Sequence, residues 1–169
     1  MVSGLSRLRL LSVLLPLVLV APPLGGSLSA RPAAPAASSQ SSAAPQHLRA
    51  MACPRPSTCV AVGDRGTLLR STDGGRTWRR QTSGTTNDLD GVACLSPSTC
   101  VAVGDIMQGT PIRGMMLRTT NGGRTWRSQT SGTTDFLYGV ACPSPSTCVA
   151  VGNSSIVRST DGGRTWRSV

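Results

Sequence analysis

The sequence predicts an all-β fold of three repeated units, and three observations predict it. One phrase occurs three times: Ser71-Thr72-Asp73-Gly74-Gly75-Arg76-Thr77-Trp78, then Thr119-Thr120-Asn121-Gly122-Gly123-Arg124-Thr125-Trp126, then Ser159-Thr160-Asp161-Gly162-Gly163-Arg164-Thr165-Trp166. A second phrase, Cys-x-x-Pro-Ser-Thr-Cys-Val-Ala-Val-Gly, precedes each one, starting at Cys53, Cys94 and Cys142. No window carries apolar residues at helical spacing. The tryptophans lie 48 and then 40 residues apart, and the first cysteines 41 and then 48. A period of that length built from short strands marks a radial or stacked repeat.

The middle unit shows how each element arises. Residues 89–94 read as a short strand. Leu95-Ser96-Pro97-Ser98-Thr99 is a turn, because proline presets φ and serine and threonine bond their own backbone. Residues 100–104 alternate β-branched and small residues as a second strand, and residues 115–119 form a third. Asn121-Gly122-Gly123 turns the chain, and residues 126–130 are the fourth strand. Four short antiparallel strands are the content of one propeller blade. The expected fold is therefore a partial β-propeller of three four-stranded antiparallel blades, at about residues 48–86, 87–134 and 135–169.

The preceding residues have other signatures. Arg7 and Arg9 form a basic region, residues 10–20 are almost wholly apolar, and small and turn residues follow to Ala30. That layout is a secretory signal peptide over residues 1–30, with a retained signal anchor as the alternative. An apolar run this short falls below the ~20 residues of a membrane span. Residues 31–46 are rich in Pro, Ala and Ser, which reads as a flexible linker. The expected location is outside the cell or in its envelope.

The chain holds 17 arginines, seven aspartates, no lysine and no glutamate. Beyond residue 30 there are fifteen arginines against seven aspartates, a balance of +8. Nine arginines recur at fixed repeat positions: Arg70, Arg118 and Arg158; Arg76, Arg124 and Arg164; Arg79, Arg127 and Arg167. They form either a solvated face or stripes for an anionic envelope polymer. A nucleic-acid partner is not expected, since no exposed aromatic interleaving is visible.

The six cysteines fall in three pairs, each with five residues between: Cys53 and Cys59, Cys94 and Cys100, Cys142 and Cys148. Each pair flanks the first turn of a unit, where cross-strand partners approach bonding distance. One bridge per repeat is favoured among the 15 connectivities, and export agrees with it. Zinc is the competing reading, but the spacing is not C-x-x-C and His47 is the single histidine. No metal or cofactor is expected. In the first phrase, Asp73, Asn121 and Asp161 suit turn hydrogen bonding, and Trp78, Trp126 and Trp166 supply apolar faces for a core poor in other aromatics.

These residues resemble Asp-box (BNR) repeats, whose pattern is Ser/Thr-x-Asp-x-Gly-x-Thr-Trp. The matching positions are Ser71, Asp73, Gly75, Thr77 and Trp78; Thr119, Asn121, Gly123, Thr125 and Trp126; and Ser159, Asp161, Gly163, Thr165 and Trp166. Asn121 departs from the pattern. The flanking text, Leu-x-Gly-Val-Ala before and Trp-x-x-Gln-Thr-Ser-Gly-Thr-Thr after, is similar to the secreted bacterial relatives of the photosystem II stability and assembly factor-like branch. The resemblance implies a propeller and a structural role for the box, and it leaves function open.

Several readings follow. One is a secreted, non-enzymatic binding or scaffold module, resembling an assembly factor, with a protein or an envelope polymer as partner. Its candidate contact loop is the non-repeated stretch with Ile106, Met107, Ile112, Arg113 and Met115. The alternative is a sialidase-like glycoside hydrolase remnant. The resemblance places a tyrosine nucleophile helped by glutamate in such sites, and this chain has Tyr138 alone and no glutamate. Propellers have four to eight blades, so three repeats suggest either a homodimer completing a six-blade ring or a fragment of a longer ancestor.

Overall fold

The computed structural model describes residues 47–106 and 113–169, and these hold twelve strands. They form three four-stranded antiparallel sheets, each in simple sequence order. Blade 1 comprises β1 (Leu48–Arg55), β2 (Thr58–Gly63), β3 (Thr67–Ser71) and β4 (Arg79–Arg80). Blade 2 comprises β5 (Leu89–Cys94), β6 (Cys100–Ile106), β7 (Arg113–Thr119) and β8 (Arg127–Gln129). Blade 3 comprises β9 (Leu137–Ala141), β10 (Cys148–Gly152), β11 (Ile156–Ser159) and β12 (Arg167–Ser168). This is an all-β partial propeller. Residues 64–66 make a single 3-10 turn with Arg65 at φ 53°.

The strands are short because turn residues interrupt them at each hairpin. Cys53–Cys59, Cys94–Cys100 and Cys142–Cys148 are disulfide-bonded across the first hairpin of their blades, with Cα separations of 4.1, 3.9 and 4.1 Å. Among the described residues no cysteine is free. Buried Ser83 and Ser131 each donate to a carbonyl two residues on, shaping the segments that lead from one blade to the next.

The core lies between blades and not within one. Val60, Val62 and Leu68 of blade 1 join Leu89, Ala102, Leu117 and Trp126 of blade 2 in one apolar cluster. Val101, Val103 and Met116 of blade 2 join Leu137, Ala150, Val157 and Trp166 of blade 3 in another. A four-stranded sheet has two apolar faces, so stacking is the only way to bury both. The innermost strands β1, β5 and β9 run side by side.

Residues 1–46 lie outside the described residues, and with them the expected signal peptide and linker. Among the described residues no helix is long and apolar enough to cross a membrane.

Candidate binding site at the inner strands

Each Asp-box turn closes on its own side chains. Ser71 donates its hydroxyl to Asp73 at 2.8 Å and accepts the Gly75 N–H at 2.8 Å. Asp73 then accepts the Thr77 N–H at 2.9 Å and the Thr77 hydroxyl at 2.5 Å. The third box repeats this with Ser159, Asp161 and Thr165. In the second box Asn121 accepts the Thr125 N–H at 3.0 Å, as an aspartate would. Its amide then donates to Thr125 Oγ1 at 2.8 Å, reversing that one bond. The hydroxyl can serve as donor or acceptor, which is why the substitution is tolerated. Hydrogen bonds from Thr77 hold the Asp73 carboxyl down at about 2, and those from Thr165 hold Asp161 well below the usual carboxylate range.

Two of the three indoles complete their turns. Trp78 and Trp126 donate Nε1–H to the carbonyls of Gly75 and Gly123 at 3.0 and 3.2 Å. Trp126 and Trp166 are buried at 8 and 6 % exposure, and Trp78 is half-buried. The arginines do not form free stripes throughout. Arg70 and Arg118 donate across blade boundaries to the carbonyls of Gly122 and Gly162. Burial pushes the Arg118 guanidinium down from its ordinary value. Arg76, Arg124 and Arg164 in the boxes, and Arg79, Arg127 and Arg167 on the outermost strands, remain exposed.

The non-repeated chemistry gathers at one end of the inner strands. In β1, β5 and β9 the register slips by one residue at the same place, between Leu48 and Ala50, Leu89 and Gly91, and Leu137 and Gly139. The extra residues are Arg49, Asp90 and Tyr138. A bulge re-aims its side chain and bends the strand. The opposing Gly63, Gly104 and Gly152 make this possible. A Cβ on any of them would collide with the carbonyl of His47, Asp88 or Phe136.

Arg49 is the centre of the cluster. Its Nε binds Asp64 at 2.6 Å, Nη2 binds Asp88 at 2.7 Å, and Nη1 binds Asp90. Two of these carboxylates come from the neighbouring blade, so Arg49 joins blades 1 and 2. The Asp90 hydrogen bond raises the arginine's pKa far above its ordinary value, against an opposing effect of burial. Asp88 also accepts the N–H of Arg65, holding that residue in the left-handed region. Asp105 sits beside this group and is 9 % exposed. Burial first, then the charges of Asp90 and Asp88, push its carboxyl up. Tyr138 is half-exposed and its ring stacks on Phe136 at 6.3 Å.

Arg49 is the residue that sequence reasoning missed. Its signal lay in the repeat alignment, where Leu-x-Gly/Ala is constant and x is Arg49, Asp90 or Tyr138. The matched pair Asp64 and Asp105 diverges: the first is salt-bridged and the second buried. The expected contact loop is only partly visible. Residues 107–112, including Met107 and Ile112, lie outside the described residues. Ile106 pairs with Arg113 at the end of the β6–β7 ladder and packs against the core. Met115 is buried, contrary to its place in an exposed loop, because β7 begins two residues before it. Arg113 is exposed.

Most glycosidases other than the tyrosine-dependent sialidases use two carboxyl groups flanking one bond. Asp64, Asp88 and Asp90 are held by Arg49, and Asp73 and Asp161 by their boxes. Asp135 accepts Ser154 N–H and Phe136 N–H, bonds that lower its pKa. Only Asp105 has no side-chain partner among the described residues. Those residues also hold no group of three metal-binding side chains.

The stacked sheets and self-closed turns define an all-β repeat protein with propeller-type blades. The BNR/Asp-box repeat model matches residues 69–80 and 157–168, the two copies that keep aspartate. Two solved structures share the fold. YCF48 bound to D1 peptide is 22 % identical with a TM-score of 0.61, over 73 % of this chain and 40 % of that one. YCF48 from Cyanidioschyzon merolae is 22 % identical with a TM-score of 0.59, over 73 and 39 %. The chain therefore spans about two fifths of the length of these structures. No curated protein matches it.

Proposed function

We propose that this protein is a non-enzymatic binding scaffold, exported from the cell, whose partner is a protein segment taken up at the bulged ends of the inner strands. The observation that carries this reading is the placement of Arg49, Asp90 and Tyr138. Along the inner strand from the leucine to the cysteine, a single position carries three different residues in the three repeats, and a bulge falls there each time. Arg49 and Asp90 are tied into the ion cluster that joins blades 1 and 2, and the half-exposed Tyr138 is the one of the three whose side chain stands available for recognition. A half-exposed tyrosine beside a charged cluster offers apolar contact and hydrogen bonds together. Support for a peptide-like partner comes from the fold neighbour solved with a D1 peptide. The disulfides suit an oxidising compartment.

Peptide-display selection against the oxidised protein tests the reading. Enriched peptides are expected to lose at least about tenfold in affinity on Tyr138→Ala, the scale of one interface anchor. Peptides that bind Tyr138→Ala and Asp90→Asn proteins as well as the wild type would contradict the placement of the site.

A second reading is favoured by the exposed Arg79, Arg127 and Arg167 on the outermost strands. They suit an anionic envelope polymer, whose binding would weaken steeply with salt. Binding of a teichoic-acid-like polyphosphate that is unchanged between 50 and 200 mM salt, the range over which such contacts are screened, would remove it.

A further inference from the structure

Two internal boundaries show how one blade takes the next. Blade 1 sets Val60, Val62 and Leu68, all fully buried, against blade 2 and its Trp126. Arg70 Nε donates to the Gly122 carbonyl at 2.5 Å. Blade 2 repeats this toward blade 3 with Val101, Val103, Met116 and the 2.9 Å bond from Arg118 to Gly162. The second box glycine belongs to the fit. A Cβ on Gly123 would lie 3.1 Å from Val60 Cγ2, and one on Gly163 would lie 2.8 Å from Val101 Cγ2.

Both halves of this joint occur once more with nothing against them among the described residues. Blade 3 carries Val149, Val151, Ile156 and Arg158 at the same positions. Val151 and Ile156 are 46 and 48 % exposed, while Val103 and Met116 are fully buried. Blade 1 carries the receiving side. Leu48 is 54 % exposed where Leu89 and Leu137 are fully buried, and Met51 is 62 % exposed. Within 4 Å a Cβ on Gly75 would meet only its own Trp78.

We propose that a second copy of this chain fills both faces. Blade 3 of each copy seats on blade 1 of the other. Arg158 then donates to the Gly74 carbonyl across the boundary, and Val149 covers Gly75. The two contacts are equivalent under a two-fold axis, as a closed dimer requires. Six blades result, within the four to eight of known propellers. The faces are apolar and match in sequence position the ones already joined inside the chain. This inference does not depend on the nature of the partner at the inner strands.

Sedimentation equilibrium of the full chain, oxidised, tests it with two variants. Val151→Asp with Ile156→Asp changes one face, and Leu48→Asp with Met51→Asp changes the other; these are exposed positions, so each variant is expected to keep its tryptophan near-ultraviolet dichroism. The wild type is expected at the mass of two chains at 10 μM, about the scale where a modest interface is populated. Each variant alone is expected at the mass of one chain. A mixture of the two variants retains one intact joint and is expected to associate more than either alone. A wild-type monomer overturns the proposal, including one whose Trp78 is shielded by residues 1–46. So does a dimer indifferent to both variants, or a ladder of higher masses, which would mean joining without closure.

Discussion

Asp73 and Asp161 show what a single carboxylate does in this fold. Each is held ionised by the hydroxyl and N–H of a threonine four residues on. A folded pKa below the unfolded value means that the stabilisation is present above the unfolded value, near 4. It is lost as pH falls through the folded value, about 2 for Asp73. Asn121 performs the same turn without a titrating group. Asp73→Asn with Asp161→Asn is therefore expected to flatten the fall in melting temperature between about pH 4 and pH 2. Melts across that range check it, and an unchanged acid slope would contradict it. Asp105 has the opposite sign. Its raised pKa weakens folding at neutral pH, and the penalty is relieved as pH falls below the folded value. Asp105→Asn is expected to raise the melting temperature at pH 7 and to raise it less at pH 4, read by calorimetry. A lower melting temperature at pH 7 would mean that the carboxylate is paired. These environments were not legible in the sequence. Asp64 and Asp105 occupy matching positions, and only the bulge at Arg49 in the adjacent strand tells them apart.

Within one blade, the hairpin and the box divide the labour. Residues 89–94 and 100–104 were readable as strands because turn residues bound them, and the fold places β5 and β6 there. The bulges were not readable, since a register slip depends on what faces the strand. The tryptophans of the second and third boxes, Trp126 and Trp166, pack backwards onto the preceding blade. Trp126→Ala is expected to cost about 3–5 kcal/mol, as for large aromatic truncations in cores, and Trp78→Ala much less because that indole is half-buried. Urea titration of both variants checks the ranking, and equal losses would contradict the packing order. Each bridged hairpin closes a loop of sequence separation 6. Reducing one bridge is expected to cost about 2 kcal/mol in the chain-entropy account. Replacing Cys94 and Cys100 by serine, followed by the same titration, measures it; no loss would mean that the strand pairing alone fixes the hairpin.

At the scale of the molecule, the sequence announced the repeat and its blade content, because period and turn chemistry are local properties. It could not announce where the core lies. Val60 is buried by a tryptophan that stands 66 positions away, and that pairing exists only once blades stack. The same stacking rule leaves one donor face on blade 3 and one receiving face on blade 1. It also explains the arginine rows, since Arg70 and Arg118 are joints and Arg158 is the same joint unfilled. Small-angle X-ray scattering of the oxidised full chain, followed over a concentration series, tests this most directly. A forward-scattering mass of two chains with the profile of a closed six-blade ring is the predicted result; a single-chain mass with the profile of an open three-blade arc at every concentration would contradict it.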